Sequence, residues 1–143
     1  MNVNEILSRL KISELNAMQK QTMEASLKHK DIVLLSPTGS GKTLAFILSF
    51  LDSLKADVKG VQVIVLAPSR ELGLQIEQVF KSVTNQFKVS CFYGGHPFKT
   101  ERNSLIEPPA VLIGTPGRVA DHIKRETFST RHVKVLVLDE FDK

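Results

Sequence analysis

Short, continuous apolar runs alternate along this chain with stretches in which apolar residues recur every three or four positions. The runs fall at 32–35, 61–67, 89–92, 110–113 and 133–138. Each is too continuously apolar for a strand with one wet face, so the pattern predicts strands of a parallel sheet buried on both sides. Between them, Leu44, Ile47, Leu48, Leu51 and Leu54 share helical spacing, as do Leu72, Ile76, Val79, Phe80 and Val83, and both sets predict helices packed on the sheet. A further helix before the first run carries Leu15, Met18 and Thr22 on one face. Strand and helix patterns in alternation predict an α/β fold with crossover helices.

At 143 residues the chain is long enough for one ordinary core, so a single domain is expected. Hydrophobic residues make up 42% and charged residues 24%, and no stretch approaches the twenty or so apolar residues of a membrane span. A membrane protein is not expected. The N-terminal MNVNEILSRL lacks the basic start and apolar centre of a secretory signal, and Cys91 is the sole cysteine. Both fit a reducing cytoplasm. His29, His96, His122 and His132 are scattered without ligand spacing, so no zinc site is expected. A net charge of +4 suits a polyanionic partner but equally serves solubility.

Directly after the first run comes S-P-T-G-S-G-K-T, residues 36–43, leading into the Leu44 helix. Strand, glycine-rich turn, Gly-Lys-Thr and helix are the context of a Walker A phosphate loop. Gly39 and Gly41 let the backbone after Pro37 curl so that successive N–H groups, those of Thr38 and Ser40 among them, face inward, and the helix N-terminus adds its positive end. Lys42 is then the charge that reaches terminal phosphates, and the Thr43 hydroxyl a ligand of Mg²⁺. Ser36 stands where the common pattern has its first glycine.

The last run ends in acids, V-L-V-L-D-E-F-D at 135–142. A phosphate loop needs a carboxylate at the tip of another parallel strand, on the same carboxyl edge. Asp139 is placed to hold Mg²⁺ through water, and Glu140 to orient and deprotonate an attacking water.

With these motifs in order, the sequence resembles the DEAD-box RNA helicases: S-P-T-G-S-G-K-T (36–43), P-S-R-E-L (68–72), Gly94-Gly95, T-P-G-R (115–118) and D-E-F-D (139–142). The resemblance implies a RecA-like P-loop NTPase domain, ATP as nucleotide and RNA as polymer. It places Pro68, Arg70 and Glu71, the Gly94-Gly95 pair, and Thr115, Pro116, Gly117 and Arg118 along the RNA backbone. Residue chemistry agrees: Thr115 suits an N-cap, Pro116 a first helical position, and Arg118 with freed N–H groups suits phosphate oxygens. Ser69 suits a second N-cap. The resemblance also makes Gln19 the adenine-reading glutamine, within a glutamine-motif region at 1–29 that precedes the P-loop core at 30–143.

Three departures stand out. Phe141 replaces the alanine of the family motif. Lys11, Ile12, Leu15 and Asn16 replace the glycine, aromatic, proline and threonine that usually lead to the glutamine. The match also breaks off at Lys143, before a Ser-Ala-Thr strand and a second RecA-like domain. In the related fold that strand lies between the Walker A strand and the Asp139 strand. About five strands around a central gap are therefore expected, and with them instability, self-association or strand swapping of the isolated chain. The expected function is the ATP-binding half of an ATP-dependent RNA helicase with little activity of its own. A DNA helicase or translocase, and a nucleotide-dependent RNA-binding adaptor without hydrolysis, are the alternatives.

Overall fold

The computed structural model describes residues 2–95 and 97–141; His96 and the final acid of the D-E-F-D motif, Asp142, lie outside them. Helices α1 (Val3–Leu10), α2 (Ala17–Lys28) and α3 (Lys42–Leu51) precede β1 (Val63–Leu66). Then α4 (Arg70–Val83), β2 (Val89–Phe92), α5 (Phe98–Ser104), β3 (Val111–Gly114), α6 (Pro116–Lys124) and β4 (Val135–Leu138) follow. The four strands form one parallel sheet in the order β2-β3-β1-β4.

Strand side chains alternate between two cores, because successive residues point to opposite faces. Val63, Val65, Val111 and Ile113 pack with Ile47, Leu48 and Phe50 of α3, Ile76, Phe80 and Val83 of α4, and Ile6 of α1. Ile64, Leu112 and Phe92 face the other way, onto Leu105 at the end of α5 and Val119 of α6. Each such buried side chain contributes about 1.5–3 kcal/mol relative to exposure. The helices therefore cover both faces, as the continuous apolar runs predict.

Local chemistry sets the helix starts that matter here. The Ser69 hydroxyl accepts from Leu72 N at 3.3 Å to open α4. Thr115 is the N-cap of α6 with Pro116 at its first position, but the Thr115 hydroxyl makes no capping bond. Helices α1 and α5 are additional to the sequence reading, and α1 is opened by Asn2, whose side chain accepts from Glu5 N. Among buried polar groups, Gln62 ties both polar groups of its amide to the backbone of Lys55, at 2.9 Å each.

Two expectations are corrected. Residues 32–35 belong to no helix and no ladder, and Ile32, Val33 and Leu35 are 41%, 69% and 81% exposed. No strand among the described residues supplies their hydrogen-bond partners, so an apolar run alone does not complete a strand. The last strand, β4, is not buried on both sides either: it ends the ladder, and Leu136 and Leu138 are 59% and 50% exposed. Its alternate residues Val135 and Val137 pack on the α3–α4 core. Burial of both faces thus holds for β1 and β3 in the middle of the ladder and fails where the sheet is open.

Candidate nucleotide site and strand-end surface

Parallel register brings all four carboxyl ends into one row. Leu66 pairs with both Gly114 and Leu138, and Phe92 pairs with Gly114. The segments that follow, Tyr93–Gly95, Thr115–Arg118, Pro68–Glu71 and Asp139–Glu140, therefore emerge side by side in that order. This is the edge where open α/β sheets bind ligands.

The glycine-rich loop enters α3 through two left-handed residues, Gly39 at φ 80° and Gly41 at φ 89°. Gly41 is the N-cap, and no side chain caps the helix, so the first N–H groups of α3 are left to an anion. Ser40 N donates to Pro37 O at 3.2 Å, and the Ser36 and Ser40 hydroxyls bond to each other. Serine at the first position thus closes the loop by a contact that glycine cannot make.

Helix α2 buttresses this loop. Asn16 and Gln19 form a capping box: each side chain accepts from the other's backbone N–H at 2.9 Å. Their remaining donors reach across, Asn16 Nδ2 to Ser40 O at 3.0 Å and Gln19 Nε2 to Gly41 O at 3.3 Å. Gln19 is buried and lies so close that a Cβ on Gly41 would stand 2.5 Å from its Nε2. Gln19 thus braces the loop, and one amide hydrogen and one oxygen lone pair remain for a further partner. Asn16 was missed by sequence reasoning, although N-x-x-Q ahead of a helix is a capping-box signal.

Across from the loop, Asp139 N donates to Leu66 O at 2.9 Å, carrying the ladder one residue beyond β4. Glu140 then adopts φ 51°, a left-handed conformation that costs a non-glycine residue about 1–3 kcal/mol and gathers at functional sites. Burial, and then the neighbouring charge of Glu140, push the Asp139 carboxyl above its usual range; Lys42 and a hydrogen bond from the Glu140 N–H pull the other way. The Lys42 charge is thus felt at Asp139, where two neighbouring acids, Asp139 and Glu140, stand against one lysine. A bound divalent cation is the group such a donor set suits. Phe141, beyond the acids, is 61% exposed.

On the other side of the row, Gly94, Thr115, Gly117 and Arg118 line one depression with Asp121 and Lys124. Pro68, Arg70, Glu71, Gly95 and Pro116 are exposed, and the Arg70 guanidinium lies 4.8 Å above the Tyr93 ring. That ring contact joins the end of β1 to the end of β2. Two residues that sequence reasoning did not single out as functional sit beneath this surface: Glu101 and His122, both fully buried. Their signal, a charged residue on a helix face that turns out apolar, is visible only once packing is known.

No helix among the described residues is long and apolar enough to cross a membrane. The family model for the DEAD/DEAH box helicase matches residues 16–143. The chain is 37% identical over 139 residues to the ATP-dependent RNA helicase CshA of Listeria monocytogenes, covering 96% of this chain and 27% of that protein. It is 41% identical over 120 residues to the ATP-dependent RNA helicase DeaD of Buchnera aphidicola, covering 82% and 20%. Among solved structures, the yeast DEAD-box splicing factor Prp28 superposes with a TM-score of 0.85 at 30% identity, over 98% of this chain and 35% of that one. With the family model matched from residue 16 to residue 143, the chain belongs to the DEAD/DEAH box helicase family.

Proposed function

We propose that the full-length protein is an ATP-dependent RNA helicase and that this chain is its ATP-binding part, with residues 1–29 bracing the loop and residues 30–143 forming the P-loop core. The observation that carries the reading is the uncapped N-terminus of α3, opened by the left-handed Gly39 and Gly41, with Asp139 at the carboxyl end of β4 near enough to be influenced by the Lys42 charge. ATP would supply the phosphoryl group, and a bound Mg²⁺ would neutralise the charge that develops on it. Thr38, Gly39, Ser40 and Gly41 wrap the phosphates with backbone N–H groups, Pro37 and Ser36 shape the entry to the loop, and Lys42 adds a positive charge at its end. Thr43 and Asp139 would hold the metal, and Glu140 would orient the attacking water and take its proton. Gln19 serves the loop first and the adenine second.

RNA runs along the row of strand ends, over Pro68, Arg70 and Glu71, Gly94 and Gly95, and Thr115 to Arg118. Backbone N–H groups and arginines suit phosphate and sugar contacts, which position a strand without reading its sequence. A second RecA-like domain completes both sites, since arginines supplied from outside a P-loop domain contribute about 10³–10⁵ in rate. A reducing cytoplasm suits a chain with one thiol. The test is RNA-dependent ATP hydrolysis by the full-length protein with and without Glu140→Gln. Loss of turnover with ATP binding retained supports the assignment; unchanged turnover removes Glu140 from its role.

A further inference from the structure

The most deeply buried ionisable side chains among the described residues, Glu101 at 1% exposure and His122 at 0%, take no part in the phosphate site. A carboxylate is expensive to bury unless each oxygen is satisfied, and here both are. Oε1 accepts from Arg118 Nε at 2.7 Å and from His122 Nε2 at 2.8 Å, while Oε2 accepts from Tyr93 N at 3.1 Å. One side chain of α5 thus holds the end of β2, immediately before Gly94 and Gly95, and the first turn of α6 after β3.

The surrounding groups fix this hub rather than merely fill space. The His122 ring stacks on Phe98 at 4.2 Å and 14° and lies against Phe92 at 4.9 Å, and its Nδ1 is 2.8 Å from the Thr127 hydroxyl. The Arg118 guanidinium also lies 5.1 Å from the Phe98 ring, so Arg118 is held by a charge-assisted hydrogen bond at Nε and by an aromatic face. Its side chain is only 15% exposed, yet it lines the depression beside Gly94 and Thr115. A long, rotamer-rich side chain so anchored has little conformational freedom left to lose when a phosphate binds.

We propose that Glu101 is a positioning residue for nucleic-acid binding, locked by His122, which joins the Gly94-Gly95 loop and the Thr115–Arg118 turn into one preset surface and acts on RNA through Arg118. The inference rests on the reading of that surface as the RNA site.

The experiment is a double-mutant cycle on the full-length protein. Single-stranded RNA affinity is measured by fluorescence anisotropy for Glu101→Gln, Arg118→Ala and the pair, with nucleotide affinity measured alongside. Expected are a loss of about tenfold in RNA affinity for Glu101→Gln, as for a charged hydrogen-bond partner lost, unchanged nucleotide affinity, and no further loss from Glu101→Gln once Arg118 is alanine. Equal losses in both backgrounds would show that Glu101 acts independently of Arg118 and overturn the inference. A silent Glu101→Gln beside a damaging Arg118→Ala overturns it while sparing the RNA reading; a silent Arg118→Ala overturns both. Should Glu101 variants fail to fold, Arg118→Lys decides, because it keeps the charge and loses the Nε donor: weakened RNA binding supports the inference, and full affinity overturns it. His122→Gln, whose amide can reproduce the donor to Oε1, is expected to retain RNA affinity better than His122→Ala, and equal losses in the two contradict the locking role.

Discussion

Lys42 in the first turn of α3 is near enough to Asp139, at the tip of β4, for its charge to restrain, together with the Glu140 N–H, a carboxyl that burial and the Glu140 charge push upward. Sign follows from the proton count. The unfolded carboxyl ionises at its ordinary value and the folded one at a higher value, so between the two the folded state holds more protons. The stability associated with Asp139 is then complete at low pH and is lost as pH rises through the folded value. Without divalent cations, Asp139→Asn should stabilise the fold at neutral pH and flatten its pH dependence. Denaturant titrations of both proteins in chelator, from about pH 4 to about pH 7, check this, and a less stable asparagine variant at neutral pH would contradict it.

Gly114 and Gly117 separate two kinds of glycine in one motif region. A Cβ on Gly114 would stand 2.6 Å from Val119 Cγ2 and 2.7 Å from the Phe92 carbonyl, whereas one on Gly117 meets nothing within 4 Å. Gly114→Ala should destabilise by about 1–3 kcal/mol through overpacking against backbone. Gly117→Ala should be neutral or stabilise by up to about 1 kcal/mol through helix propensity. Equilibrium unfolding of both variants tests the ranking, and equal effects would refute it.

Cys91 lies under α4, close enough that a Cβ on Gly73 would come within 3.0 Å of its Sγ. Burial, followed by the charges of Glu77 and Glu101, pushes its thiol up to about 12. The thiolate is the reactive form, so alkylation of the native protein at mildly alkaline pH should be far slower than alkylation of the unfolded chain. Mass-spectrometric labelling in the presence and absence of denaturant measures the ratio, and a ratio near one would contradict the half-buried, neutral thiol.

The open side of the sheet has its own consequence. β4 ends the ladder with Leu136 and Leu138 exposed, and residues 32–35 stand outside it with Val33 and Leu35 exposed. Unpaired strand donors and apolar side chains seek partners. Residues 1–143 expressed alone should self-associate or aggregate, which light scattering behind size exclusion reports. A monodisperse monomer that unfolds cooperatively would refute this.

The legible features were those written in short-range spacing. The four ladder strands, α3, α4, the start of α6 and the phosphate loop follow from apolar periodicity and glycine placement along the chain. Residues 32–35 failed as a strand because a strand exists only with a neighbour, and the neighbour is not a local property of the run. The outer face of β4 reads apolar in sequence for the same reason. Asn16 was missed despite its capping signal, and Glu101 with His122 lay beyond sequence reasoning because their meaning resides in contacts between α5, α6 and the end of β2.

The central claim, that the loop around Lys42 and the acids at the tip of β4 serve one magnesium nucleotide, is tested most directly by binding of a fluorescent ATP analogue with and without Mg²⁺. In the full-length protein, Mg²⁺ should tighten binding, and Asp139→Asn should abolish that Mg²⁺ dependence while leaving metal-free binding largely intact. Retention of the full Mg²⁺ dependence by Asp139→Asn would contradict the account.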